Sequence, residues 1–199
     1  MASNDAFTLM VTGQIESACF EGHSSMYARY AFSFGDDWTI MRGVEEGITQ
    51  MATPDGTNAN AVLNFPIDLT FKATCIYGWP QIVVSVYGVD FFGRPDVVLG
   101  YCATHIPLAP GRHVVEIPTY RPLASTLFGR FQSWLLGMRP EFVESLFPSK
   151  AEGRDVTRVQ SFGSVKLVLN VSLQGMEQLG YSVPHAMASA RLADPLASE

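Results

Sequence analysis

Lysine is almost missing from this chain of 199 residues, occurring only at Lys72, Lys150 and Lys166. The formal net charge is −6 and the isoelectric point about 5.2. That balance excludes a basic nucleic-acid footprint and any general attraction to anionic membranes. Cysteine is also sparse. Cys19, Cys75 and Cys102 are odd in number and widely spaced, with no CxxC pair and no His-x-His cluster. A zinc site is not expected, and the three read as reduced thiols of an intracellular protein. No apolar run approaches the ~18 residues of a membrane span. The N-terminus, MASNDAFTLMVTG, lacks the basic region and long apolar stretch of a signal peptide. Ala2 is not Gly and the terminal LASE is not a prenylation box, so neither lipid anchor is signalled. The expectation is a soluble intracellular protein that reaches membranes through partners. Only 16% of residues are charged, which hints at surface covered by partners, whereas 47% are apolar, ample for a core.

Catalytic signatures are missing as well. There is no Gly-x-Ser-x-Gly, no phosphate loop and no His-Glu-x-x-His. His105 and His113 flank an expected turn, and with His23 and His185 they read as surface or strand histidines. Ser24, Ser25, Glu45 and Glu46 form no convincing catalytic pair. No enzyme activity and no cofactor are expected. Asp36, Asp37, Asp90 and Asp96 are candidate Ca²⁺ ligands, since that ion wants about 6–8 oxygen donors from converging loops. Asp is equally a preferred turn residue.

What the chain does have is alternation. Leu63, Phe65, Ile67, Leu69 and Phe71 alternate with Asn64, Pro66, Asp68, Thr70 and Lys72, the period of a half-buried strand. Tyr77-Gly78-Trp79-Pro80 punctuates; Gln81 to Tyr87 and about Asp96 to Ala103 follow as two more strands. The spacing predicts a three-strand antiparallel meander. Further strands are expected at Phe7–Phe20, with Gly13 a bulge or a close, and at Met26–Phe34. Others are expected at Trp38–Met41, within Gly43–Met51, at His113–Ile117 ended by Pro118, and over Val156–Leu173. Leu127, Phe128, Phe131, Trp134 and Leu135 recur at helical spacing, so 125–138 reads as an amphipathic helix, with another turn at Phe142–Phe147. The fold class is an all-β antiparallel sandwich of about eight strands with a short helical insertion near 125–147. Residues 1–6 read as a flank, 7–181 as one domain and 182–199 as a disordered tail. Arginine, which outnumbers lysine, favours protein interfaces. Arg130, Trp134 and Arg139 on the expected helix are candidate partner-binding residues, although its aromatic stripe also suits a core.

These residues resemble a known family. NFPIDLTFKAT, YGWPQIVVSVYG, the PGRH turn and GRDVTRVQSFGSVKL, with LMVTGQIESA and GVEEGITQM nearer the N-terminus, are similar to the B9 domain family. The likeness runs from about residue 8 to 181. It implies a divergent C2-like sandwich of eight antiparallel strands and a structural role at the ciliary basal body and transition zone. It also implies partners, B9 domain-containing protein 2 and the Meckel syndrome type 1 protein. With them it implies a tectonic-like complex that limits diffusion of ciliary membrane proteins and supports ciliogenesis.

The C2 likeness bears on calcium and lipid. A calcium-binding C2 domain sets aspartates in two loops at one end. Here Ser24 and Ser25 stand in one loop and Gly88 at the first acid position of the other, leaving Asp90 and Asp96. This degenerate loop is not expected to hold calcium. The strand that some C2 domains use for phosphoinositides has only Lys72. Two readings remain, a scaffold docking sister B9 domains and a peripheral membrane module. The second would contact lipid through the 88–96 loop with Phe91, Phe92 and Arg94, residues that equally suit a core or partner contact.

Overall fold

The structure is a computed structural model, and the residues it describes are 6–54, 59–89, 96–122 and 159–183. They form nine strands: β1 Phe7–Cys19, β2 Met26–Ser33, β3 Thr39–Gly43, β4 Glu46–Ile48, β5 Asn60–Ala73, β6 Gln81–Gly88, β7 Val97–His105, β8 Gly111–Pro122 and β9 Val159–Gln174. All pairings are antiparallel, in the order β3-β5-β1-β9-β8-β7-β6-β2-β4. The β7–β8 step is held by one registered pair, Tyr101 with Tyr120. On either side of that seam the sheet curls back on itself. Phe32 of β2 meets Phe71 of β5 edge-on at 5.8 Å, and Tyr30 lies 5.7 Å from Phe65, although these strands stand near opposite ends of the order. Two apolar faces stacked in this way make a C2-like sandwich.

Alternation places the core. Ala61, Leu63, Ile67, Leu69, Phe71 and Ala73 of β5 are buried, and so are Met26, Ala28, Tyr30 and Phe32 of β2. In β1 the buried set runs Phe7, Leu9, Val11, Ile15, then Ala18, with Phe20 just beyond the strand. The step from Ile15 to Ala18 breaks a period of two because the register against both neighbours shifts between Ile15 and Ser17. A bulge adds one residue and returns the later side chains to the core. Gly13, an expected bulge or strand end, is neither, for β1 runs straight through it. A Cβ there would meet the Val168 carbonyl oxygen at 2.0 Å, so glycine lets the β1 and β9 backbones close.

The expected meander does not form. β6 and β7 pair as a hairpin, but β5 lies between β1 and β3 in the other half of the sheet. The 74–80 connection is a crossover. Gly35 N–H donates to the Gly78 carbonyl at 2.9 Å, and the two Cα regions approach so closely that a Cβ on Gly78 would sit 2.5 Å from Gly35 Cα. Alternation specifies which face is buried but not which strand is the neighbour. Pro118 does not end a strand either. β8 continues to Pro122, and the missing N–H falls where the register against β9 shifts, between Pro118 and Tyr120. Nine strands replace about eight, the short β3 and β4 being the edges. The closing segment is one long strand. The expected helices at 125–138 and 142–147 lie outside the described residues, as does the tail from 184 onward; the described part ends after a 3₁₀ turn, Glu177–Leu179.

Candidate functional site

The end of the sandwich where C2 domains carry their loops is built here from β2, β6 and β7. The register sets Tyr27 opposite Tyr87, and their rings stack at 5.3 Å with planes 13° apart. Tyr27 O–H donates to Asp96 Oδ1 at 2.9 Å. Asp96 itself has a left-handed backbone, φ 62°, immediately before β7. Burial, followed by the Asp96 hydrogen bond and charge, pushes the Tyr27 phenol up to about 12. Tyr27 is therefore a neutral donor that occupies one carboxylate oxygen. The neighbouring loop is tied to the same end, with Val89 N–H donating to the Ser25 carbonyl at 3.3 Å and His23 Nδ1 3.3 Å from the Val89 carbonyl. Ser25 and Asp96 thus share one end of the sandwich.

The four aspartates considered as calcium ligands do not all meet. Asp37 lies beyond the Ser33 end of β2, whereas Asp96 lies at its Met26 end. Asp37 accepts from Thr74 N–H and Cys75 N–H, both at 2.7 Å, and from the Thr74 hydroxyl at 2.8 Å. The Thr74 hydroxyl and the Cys75 and Thr74 amides hold its carboxyl below the usual carboxylate range. Its role is to cap the crossover. Among the described residues no three His, Cys, Asp or Glu side chains group as metal ligands. Asp90, Phe91, Phe92 and Arg94 lie outside the described residues, and so do Arg130, Trp134 and Arg139.

His105 and His113 have separate surroundings. His105 is registered with Gln81, and His113 Nε2 lies 2.7 Å from the Ala109 carbonyl inside its own turn. Buried hydroxyls hold backbone. Thr49 Oγ1 accepts from Ala28 N–H at 3.0 Å, and Thr119 Oγ1 donates to the Phe162 carbonyl. The three cysteines are free thiols. Burial raises the Cys102 thiol to about 12, which leaves it unreactive.

Two surface features escaped the sequence. An open cavity of about 430 Å³ on the outer face of β5, β1, β9 and β8 is lined by Ser17, Cys19, Asn60, Glu116, Ser164 and Lys166. Beside it Lys166 Nζ donates to Glu16 at 2.6 Å. These residues come together through pairings across 41 to 149 positions, Cys19 with Asn60, Glu116 with Lys166 and Ser17 with Lys166. The second feature is the segment from β3 to β4, which exposes Met41, Val44, Ile48 and Met51. Its four apolar side chains were legible, but their exposure follows from β3 and β4 being the two ends of the strand order.

The fold and this loop end define an antiparallel sandwich of C2 type whose acid-poor loops are cross-linked by Tyr27, Asp96, Ser25 and Val89. Residues 9–172, from β1 to β9, match the B9-C2 family of ciliary basal body-associated B9 proteins, and the chain belongs to that family. It is 49% identical over 181 residues to B9 domain-containing protein 1 of Mus musculus, covering 90% of this chain and 88% of that protein. The Xenopus laevis protein of the same name is 48% identical over 184 residues, 92% of each. B9 domain-containing protein 2 of Bos taurus is 32% identical over 170 residues, 85% of this chain and 95% of that one. The B9 family is not a known enzyme family, and it sets the chain among proteins of the cilium and its basal body.

Proposed function

We propose that this chain is a non-enzymatic scaffold of the ciliary transition zone. It docks B9 domain-containing protein 2 and the Meckel syndrome type 1 protein within a tectonic-like complex that restricts diffusion of ciliary membrane proteins and supports ciliogenesis. The observation that carries this reading is the family match from Leu9 to Ser172, which spans the whole described sandwich rather than a fragment. The chain is related to both kinds of small B9 protein, at 33–49% and 32–38% identity. The low charge and the shortage of lysine agree with a surface that partners cover. The test is co-expression with each proposed partner, followed by size-exclusion chromatography against the chain alone. Co-elution with higher soluble yield is expected, because a partner that binds the folded state stabilises it. A stable monomer that ignores both partners would overturn the scaffold.

A second reading is favoured by the root of the β6–β7 hairpin. Gly88 pairs with Val97 where the β6–β7 pairing ends, and Phe91, Phe92 and Arg94 lie between these two residues in the sequence. On this reading the loop contacts lipid. Sedimentation with vesicles containing an anionic phospholipid should then fall when Phe91 and Phe92 are changed to serine. No sedimentation of the native chain removes this reading and leaves the scaffold untouched.

A further inference from the structure

We propose that the open edge of β4 is the docking site for an extended strand of a partner protein, one that carries basic and apolar side chains. The proposal deepens the scaffold reading and rests on it. β4 is the last strand in the order and has β2 as its neighbour. The segment 45–52 runs antiparallel along β2. Phe32 N–H donates to the Glu45 carbonyl at 3.0 Å, Thr49 N–H donates to the Ala28 carbonyl at 2.8 Å, and Met26 and Ala52 exchange both bonds at 2.9 and 2.8 Å. Antiparallel ladders aim alternate residues at alternate neighbours. With Glu45 and Thr49 turned to β2, Gly47 is turned the same way, so the N–H and C=O groups of Glu46 and Ile48 point away from the sheet. They form a template of the kind to which a further strand adds.

Side chains supply the second, independent observation. Met41, Val44, Ile48 and Met51 are 63%, 63%, 56% and 54% exposed, all within one short stretch. Gly47 faces inward, since a Cβ there would strike the Tyr30 ring at 2.7 Å. Glu46 and Ile48 therefore share the outer face. Glu45 and Glu46 are exposed, and no ion pair ties either of them among the described residues. Carboxylates on an edge repel a strand of like charge and favour a basic one. A second copy of this acidic chain would bring the same two glutamates to the seam, so the occupant is a different protein. Its added strand sets Arg or Lys beside Glu45 and Glu46 and apolar side chains beside Ile48 and Met51.

The test uses the full chain with B9 domain-containing protein 2 and, separately, the Meckel syndrome type 1 protein, and measures affinity. Ile48→Pro removes an outward N–H and leaves the bonds of Gly47 and Thr49 to β2 in place. Glu45→Arg with Glu46→Arg reverses the edge charge without touching the sheet's own ladder. Both are expected to weaken binding about tenfold or more, with an unchanged circular dichroism spectrum. Amide exchange at Glu46 and Ile48 should slow in the native complex. If the native chain binds but the charge-reversed variant binds equally well and the two amides stay unprotected, the edge assignment is overturned while the scaffold stands. If the native chain binds neither partner, the scaffold reading fails and this proposal falls with it. Because the charge reversal is confined to exposed side chains, it decides the matter even where the proline variant fails to fold.

Discussion

Trp38 and Trp79 meet edge to face, with ring centroids 5.1 Å apart, and each indole is also fixed by its N–H. Trp38 donates to the Tyr77 carbonyl at 2.9 Å and Trp79 to the Ile106 carbonyl at 2.8 Å. The pair therefore clamps the crossover from β5 to β6 and the turn after β7 together. Trp38 is 3% exposed and also touches Phe7 and Phe71. Trp38→Ala should cost about 3–5 kcal/mol by opening a cavity at the base of the core. Trp38→Phe keeps most of the packing but strands the Tyr77 carbonyl, and should cost about 1–2 kcal/mol. Urea unfolding monitored by fluorescence distinguishes the two, and a Trp38→Phe chain as stable as the native one would show that the indole hydrogen bond contributes nothing.

The Tyr27–Asp96 bond predicts a titration. The folded phenol is pushed to about 12, above its ordinary value of 10.0. A raised pKa means that the folded state holds the proton more tightly than the unfolded one. This contribution to stability is complete below about pH 10 and is lost as pH rises from there through about 12. In difference absorbance at 295 nm, Tyr27 should ionise late together with Tyr30, whose phenol is also raised by burial, and Tyr27→Phe should reduce that late step by one tyrosine. An unchanged titration curve would show that the phenol is not held in this way.

Asp37 predicts the opposite limb. Its carboxyl is held below the ordinary 3.8, first by the Thr74 hydroxyl and then by the backbone amides of Cys75 and Thr74. The stabilisation is present above that ordinary value and is lost as pH falls below it. Asp37→Ala should lower Tm at neutral pH and flatten the acid side of the stability curve. Asp37→Asn, which keeps one acceptor oxygen, should fall between. Thermal unfolding across pH 2–7 reads both effects, and parallel curves for all three chains would remove the cap.

Faces were far easier to read from the sequence than neighbours. The odd-numbered residues of β5 and the even-numbered residues of β2 are inside, because a period of two fixes a strand's orientation by itself. That β5 pairs with β1 rather than β6 is decided by long-range register and by the clamp around Gly35, Gly78, Trp38 and Trp79, which no local pattern encodes. The same separation hid the cavity beside Lys166 and Glu16, 150 positions apart. The edge at β4 was half legible: Val44, Glu45, Glu46 and Ile48 are plain in the sequence, but being the last strand is a property of the whole topology.

Gly13 gives the last prediction. It lies in the middle of β1 with φ 155° and is registered with Ile67 on one side and Leu169 on the other. Adding a single methyl would place a Cβ 2.0 Å from the Val168 carbonyl oxygen and 3.0 Å from Leu169 Cα, both of them backbone atoms. No side-chain rotation relieves such a contact, so β1 and β9 must part or β1 must change its φ. The strands are the two middle members of the β5-β1-β9-β8 array, so parting them opens the core along Val11, Ile15 and Leu167. The cost is at least ~1–3 kcal/mol for the forced backbone, with lost packing added to it. Gly13→Ala should therefore unfold at markedly lower urea than the native chain. Gly22→Ala is the control, because its φ of 76° carries strain but a Cβ there meets no atom within 4 Å. If the two variants lose the same stability, backbone strain alone accounts for the loss, and the close approach of β1 to β9 is not what requires glycine at position 13.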